Sequence, residues 1–343
     1  MLAAIRKILL IVLSRSYQNT KKMELSQNKL KYGLQAGIKK GWSGFVWMLK
    51  IIVPISFISV LIEFSGLINK IDFLLEPVLS LLNLSPTAAL PLIVGMLTGI
   101  YGGIASMVVL PLTINEMTLI AIFLLISHNL IQEGIIQGKS GLNPLKATLF
   151  RLIASIVTVI IVSLFLGPEP GALVTKSTSV STPPQFLIMM KIWFIATLYL
   201  SVKIFAIIMV IMILLETMKI FNMIQHIVKV LNPLLKIMGL DQRVGILWLT
   251  ANVFGLAYGG AVIVEEVKEG CLTRQELERL HLSVGINHSM VEDPALFLSL
   301  GLSAFWLWIP RFITAIIAVH LFDLYYKIKD IFKTTDSVSV QKK

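Results

Sequence analysis

One cysteine, Cys271, stands among 343 residues, which excludes an internal disulfide and any zinc site built on cysteines. Charge is scarce as well: Asp, Glu, Lys and Arg together make up 14% of the chain. There is no His-Glu-x-x-His pair, no Gly-x-x-x-x-Gly-Lys phosphate loop and no Gly-x-Ser-x-Gly elbow. No enzyme and no cofactor are therefore expected, and an ATP-driven pump would need a second subunit. The shortage of charge also excludes a water-soluble protein. Hydrophobic residues make up 56%, mean hydropathy is +0.84 and several windows of about 20 residues are almost uncharged. The apolar runs are continuous rather than alternating, so the expected fold class is an all-α polytopic membrane protein. The net charge of +11 lies in the tails and between apolar runs, where it sets orientation against lipid; nucleic acid is not an expected partner.

In chain order, residues 1–42 read as a basic cytoplasmic segment. Within it, Met1 to Leu13 is either an amphipathic surface anchor or sequence ahead of a true start at Met23. Residues 43–167 hold a span from about Ser43 to Gly66, an amphipathic piece from Leu67 to Leu84, an apolar stretch from Thr87 to Leu112, and spans from Met117 to Ile136 and Ala147 to Gly167. Residues 168–185, rich in Pro, Gly, Ser and Thr, form a linker; 186–324 repeat the first half; 325–343 form a basic tail.

The repetition is carried by rare polar residues. Lys50 and Glu63 are 13 apart, as are Lys203 and Glu216, while His128 and Arg151 are 23 apart, as are His288 and Arg311. Such matches inside apolar segments indicate an internal duplication. If the stretch Thr87 to Leu112 enters and returns near Tyr101-Gly102-Gly103, each half crosses three times and the second half is inverted. Every lysine-rich loop and both termini then fall on the cytoplasmic side and the linker outside. Limbs of about 12 residues reach only about 18 Å, short of the roughly 30 Å apolar core, which suits a re-entrant or broken helix hairpin. Paired glycines suit either close helix packing or an unwound segment facing a ligand.

Polar residues at this depth are expensive unless paired or facing a cavity. The candidate binding residues are Tyr101, Gly102, Gly103, His128, Asn129 and Glu133 in the first half and Asn252, Tyr258, Gly259, Gly260, Asn287, His288 and Glu292 in the second. Asn129, Asn252 and Asn287 would read hydrogen-bonding edges; His128 and His288 would be hydrogen-bond partners, proton carriers or packing residues. Arg151 and Arg311 each follow an acid, Glu133 or Asp293, by 18 residues, which predicts structural ion pairs. Glu265 either ends a limb in water or faces the site.

At Lys50 to Pro54, at Gly99-Ile100-Tyr101-Gly102-Gly103 and Gly255-Leu256-Ala257-Tyr258-Gly259-Gly260, and at Ser127-His128-Asn129-Leu130-Ile131-Gln132-Glu133 and Asn287-His288-Ser289-Met290-Val291-Glu292-Asp293, the chain resembles membrane proteins carrying the nucleoside-recognition, or Gate, domain. Two tandem copies would cover about Gly37 to Phe322. Similar domains occur in concentrative nucleoside transporters, the B-type ferrous-iron transporter and paired spore-maturation proteins. The resemblance implies a multi-pass protein of the bacterial cytoplasmic membrane that handles a small polar solute such as a nucleoside. The chain lacks the GTP-binding domain of the iron transporter and the scaffold half of nucleoside transporters. The resulting expectation is solute transport between the repeats, with Na⁺ or H⁺ coupling open and a homo-oligomer or second membrane subunit as partner. The alternatives are a divalent-metal permease using His288 and Glu292 at i, i+4, and a non-transporting gate that regulates another protein.

Overall fold

In an apolar surrounding every main-chain N–H and C=O must be satisfied within its own segment, and the long apolar runs achieve this as helices. The computed structural model describes residues 2–66, 76–167, 186–270 and 272–340, with no strand among them. The chain is an all-α polytopic membrane protein. The expected linker at 168–185, the first half of the amphipathic piece at 67–75 and Cys271 lie outside the described residues.

The first half comprises α1 (Leu2–Phe64), α2 (76–81), α3 (Ala89–Thr98), α4 (Ile100–Met107), α5 (Ile114–Ser127), α6 (Leu130–Lys139) and α7 (Pro144–Ser163). The second comprises α8 (Phe186–Ile220), α9 (Met223–Ile237), α10 (Gln242–Lys268), α11 (Arg274–Asn287), α12 (Glu292–Leu298) and α13 (Ala304–Val340). The order of parts is the same in both: a long helix, a short helix carrying Pro77 or Pro233, a broken hairpin, a helix interrupted at a histidine, and a closing helix carrying Arg151 or Arg311.

Five helical stretches among the described residues are long and apolar enough to cross a membrane: Gln27–Phe64, Ile114–Lys139, Pro144–Ser163, Phe186–Ile220 and Ala304–Lys329. The sixth expected crossing is divided into α11, of 14 residues, and α12, of 7, each too short to cross alone, and His281, Asn287, His288, Glu292 and Asp293 add polarity along it. From Leu280 to Met290 every residue but Leu282 is nevertheless buried. From Met117 to Ser127 every residue of α5 is buried, and its apolar residues surround the helix on all sides, as a central post requires.

The first helix departs from expectation. Residues 27–42 do not form a separate polar segment but continue the helix and pack on α8. Gly33, Gly37 and Gly41 make this possible: a Cβ on Gly33 would stand 2.9 Å from Thr217 Oγ1, one on Gly37 would collide with the main chain of Ile213, and one on Gly41 would stand 2.6 Å from Met209 Sδ. Small residues four apart let two helix backbones approach closely. Lys40 closes this end with a 2.8 Å ion pair to Glu216. Towards the other end Ser56 meets Thr197 at 3.5 Å, and Phe64 packs on Phe186. Numbers rise along α1 as they fall along α8, so these two corresponding helices run antiparallel.

The hairpin reverses at a single glycine in each half. Gly99 has φ 94° and ψ −176°, and Gly255 has φ 78° and ψ 168°, a region open in practice only to glycine. Beyond the reversal α4 folds back on α3, so that a Cβ on Gly103 would stand 3.5 Å from the Cα of Gly95. In α10 the same fold brings Gly259 against Ala251.

Candidate functional site

The expected span from Met117 to Ile136 is interrupted. Thr113 and Glu116 form a capping box that starts α5, which ends at His128 in extended conformation (ψ 160°); Asn129 turns left-handed (φ 48°) before α6 begins. Thr273 and Glu276 start α11 in the same way, His288 is extended (ψ 157°), and Ser289 is left-handed (φ 53°). Each break is stitched to the adjacent hairpin tip by main-chain bonds. Asn129 N donates to Gly95 O at 3.1 Å, Ser289 N to Ala251 O at 3.2 Å and Met290 N to Asn252 O at 2.6 Å.

A helix that stops leaves its last carbonyls without partners and concentrates negative potential there. The arginines occupy those positions. Arg151 donates from Nε to Ile126 O at 2.8 Å and from Nη2 to His128 O at 2.9 Å. Arg311 repeats this with Ile286 O at 2.9 Å and His288 O at 2.9 Å. Both are fully buried, at 1% and 0% exposure, and only partnering makes such burial tolerable.

One of the two expected ion pairs forms. Arg151 Nη1 lies 2.6 Å from Glu133 Oε2, whereas no ion pair joins Arg311 to Asp293. Asp293 is one methylene shorter than its counterpart Glu133. Arg311 Nη1 and Asp293 Oδ2 are both left without a hydrogen-bond partner, and Asp293 stands instead 3.6 Å from His128 Nε2.

The histidines meet between the halves. Their Nε2 atoms are 3.4 Å apart, and Glu133 lies 3.1 Å from His128 and 3.2 Å from His288. The contacts of His128 with Asp293 and of His288 with Glu133 cross from one half of the chain to the other. Around this centre, Tyr101 on the first hairpin donates to Glu292 Oε1 at 2.5 Å, again between repeats. Glu292 therefore does not share a helix face with His288, as a continuous helix would require; the break at His288 and Ser289 turns it towards Tyr101.

The other candidates have separate surroundings. Asn129 donates to Gln132 at an exposed position, and Asn252 donates to Trp248 O at 2.7 Å. Asn287 is completely buried with both side-chain polar atoms unpartnered. Gly102, Gly103, Gly259 and Gly260 each sit against a neighbouring side chain or backbone, in contacts a Cβ would disrupt. The side chain of Tyr258 lies outside the described residues. Glu265 is 69% exposed and pairs with Lys268, so it ends the limb at the surface. Lys203 donates to Ser299 O at 3.2 Å. Sequence reasoning overlooked His281, which is buried and bonds to Ser140 at 3.0 Å; its position on the α11 face that carries Asn287 and His288 into the interior was the available signal.

No family model matches the chain, and no solved structure does. The chain is similar to the uncharacterized membrane protein YvoD of Bacillus subtilis (strain 168), with 25% identity over 287 residues that cover 83% of this chain and 91% of that protein.

Proposed function

We propose that the chain is a transporter of a small solute, of the bacterial cytoplasmic membrane, built from two repeats of opposite orientation with the solute site between them. The observation that carries this reading is the antiparallel packing of α1 on α8 together with the meeting of His128 and His288. Corresponding helices can run antiparallel while corresponding histidines touch only if a pseudo-two-fold axis passes between the halves. When those helices cross a membrane, such an axis lies in the membrane plane. Broken helices converging on that axis are the architecture in which secondary transporters place substrate and coupling ions. The cluster combines four buried charges, two imidazoles and four chain breaks, a concentration of polar groups for which helix packing alone gives no reason.

The geometry favours an ion over a nucleoside in this conformation. Donor atoms 2.6 to 3.6 Å apart surround a space of atomic size. A cavity of about 360 Å³ lies on the α1 and α8 side, lined by Trp42, Phe45, Trp193 and Phe205, away from the cluster. A nucleoside would enter only after the hairpins separate. The Gate-domain resemblance, coupling to Na⁺ or H⁺, and a second subunit belong to the same proposal.

Topology and flux test it. With Cys271 replaced by serine, a cysteine at Ser179 should react with an impermeant thiol reagent from outside, and one at Gly141 only after permeabilisation. Outside labelling at both would remove the inverted arrangement. Proteoliposomes carrying the protein should take up an ionic or small polar solute faster than empty vesicles; equal uptake for every solute offered would refute transport.

A further inference from the structure

The chemistry of the histidine pair identifies a class of ligand. His128 Nδ1 lies 2.8 Å from Leu124 O, and His288 Nδ1 lies 3.0 Å from Val284 O. A carbonyl can only accept, so each Nδ1 carries the ring N–H and each neutral ring presents Nε2 as a lone pair. Both lone pairs face the same point. Facing it with them are Glu133, 3.1 Å from one ring and 3.2 Å from the other, and Asp293 Oδ2, 3.6 Å from His128. Arg151 answers Glu133, but the two Nε2 lone pairs and Asp293 Oδ2, gathered this closely in an apolar surrounding, repel unless a positive species lies among them. At most one proton fits between two Nε2 atoms 3.4 Å apart, and Asp293 Oδ2 would still lack a partner although its residue is only 8% exposed.

A metal ion satisfies His128, His288 and Asp293 together, since one ligand atom from each lies within 4.8 Å of the others. Tetrahedral coordination with bonds of about 2.0–2.1 Å places neighbouring ligand atoms roughly 3.4 Å apart. The 3.4 Å between the two Nε2 atoms and the 3.6 Å from His128 Nε2 to Asp293 Oδ2 match that spacing, while Glu133 meets the two rings through different oxygens, Oε1 at 3.1 Å and Oε2 at 3.2 Å. The supporting contacts are also those of a metal site: each imidazole is oriented by a main-chain carbonyl on its far nitrogen, and Glu133 is held by Arg151. Imidazole with carboxylate, and no thiolate, suits zinc, iron(II) or manganese better than copper(I), calcium or magnesium.

We propose that His128, His288 and Asp293, with Glu133 beside them, bind one divalent transition-metal ion between the two halves, an inference that rests on reading these residues as the transport site. The charge balance makes that ion a cargo rather than a permanent structural element. With neutral imidazoles, Glu133 and Asp293 cancel Arg151 and Arg311, and Glu292 beside them is engaged by Tyr101. The ion is held by coordination with little surplus of negative charge, and a site that conducts must also release.

The test is a titration of the tag-free full-length protein in detergent with Co²⁺, whose tetrahedral complexes absorb in the visible. One Co²⁺ per chain with a tetrahedral spectrum, displaced by Zn²⁺, is expected. Asp293→Asn should weaken binding at least about 10-fold while leaving the circular dichroism and elution volume unchanged, and His128→Ala and His288→Ala should abolish the spectrum. A folded wild type that gives no such spectrum, or a spectrum unaltered in all three variants, would overturn the site. Flux measured on the same preparations separates the two readings. Binding without metal flux keeps the site and refutes transport of the ion, whereas flux of another solute without Co²⁺ binding keeps transport and refutes the metal.

Discussion

Glu133→Gln and Asp293→Asn make the same chemical change at corresponding positions, yet their effects on stability should differ widely. Glu133 is 6% exposed, carries the 2.6 Å ion pair to Arg151 and contacts both histidines. Gln keeps the shape and a hydrogen-bond acceptor but leaves the Arg151 guanidinium, 1% exposed, without a counter-charge. Removing one partner of a buried pair costs about 3–5 kcal/mol, and the retained amide contact places this change near the lower end. At about 1.4 kcal/mol per factor of ten, the unfolded fraction should rise roughly 100-fold. Asp293 makes no ion pair with Arg311, and its Oδ2 has no hydrogen-bond partner. Asn there removes a poorly compensated buried charge, so the expected change is within about 1 kcal/mol in either direction. Unfolding in mixed micelles of rising denaturing-detergent fraction, followed by circular dichroism, compares the two directly. Equal losses, or a larger loss for Asp293→Asn, would refute the asymmetry and place a hidden pair between Asp293 and Arg311.

Three further changes probe the scaffold. Gly37→Leu forces a side chain into the main chain of Ile213 and should destabilise by about 1–3 kcal/mol or part α1 from α8, read as a fall in melting temperature and in monodisperse yield. Gly99→Ala has space around its Cβ, with Asn129 Cβ the nearest atom at 3.8 Å, but must hold φ 94°. A loss of about 1–3 kcal/mol there isolates backbone strain from packing, and a neutral result would mean the hairpin reverses elsewhere. In a Cys271→Ser background, Ser56→Cys with Thr197→Cys should form a disulfide under mild oxidation, because the two hydroxyls stand 3.5 Å apart. A cleavage site in the linker makes the cross-link visible on a gel, and its absence would contradict the antiparallel helix pair.

Much of this was legible in the residues and some was not, for physical reasons. Continuous apolar runs announced helices, and the equal spacings of His128 to Arg151 and His288 to Arg311 announced that the two halves carry their parts in the same order. The hairpin break was placed near Tyr101 and lies at Gly99, two residues earlier. The N-terminal region misled because Lys29, Lys31, Lys39 and Lys40 dominate its composition, although Gly33, Gly37 and Gly41 already carried the four-residue spacing of a tight helix contact. The capping boxes at Thr113 and Thr273 were equally visible, 160 residues apart, as were the histidines. The breaks at the histidines were hidden because Ser-His-Asn and Asn-His-Ser carry no proline or glycine. That omission also misplaced the acids: on an unbroken helix Glu292 would face His288, whereas the break sets Asp293 against His128 and directs Glu292 to Tyr101.

The breaks and the buried arginines are one device. A helix ending inside the protein exposes carbonyls that water cannot reach, and each arginine answers them with Nε and Nη donors to residues 25 and 23 positions before it. This explains how Arg311 persists with no carboxylate in contact: its partners are the last carbonyls of α11, whose negative end offsets the guanidinium. The acids are thereby released from a purely structural task. Glu133 retains part of it through direct contact with Arg151, and Asp293 touches neither arginine, so the carboxylate of the second half is the freer one to serve a ligand. Exchange of Arg311 for Met should therefore damage the fold more than Asp293→Asn does, even though the two residues sit at positions that the spacing alone would pair.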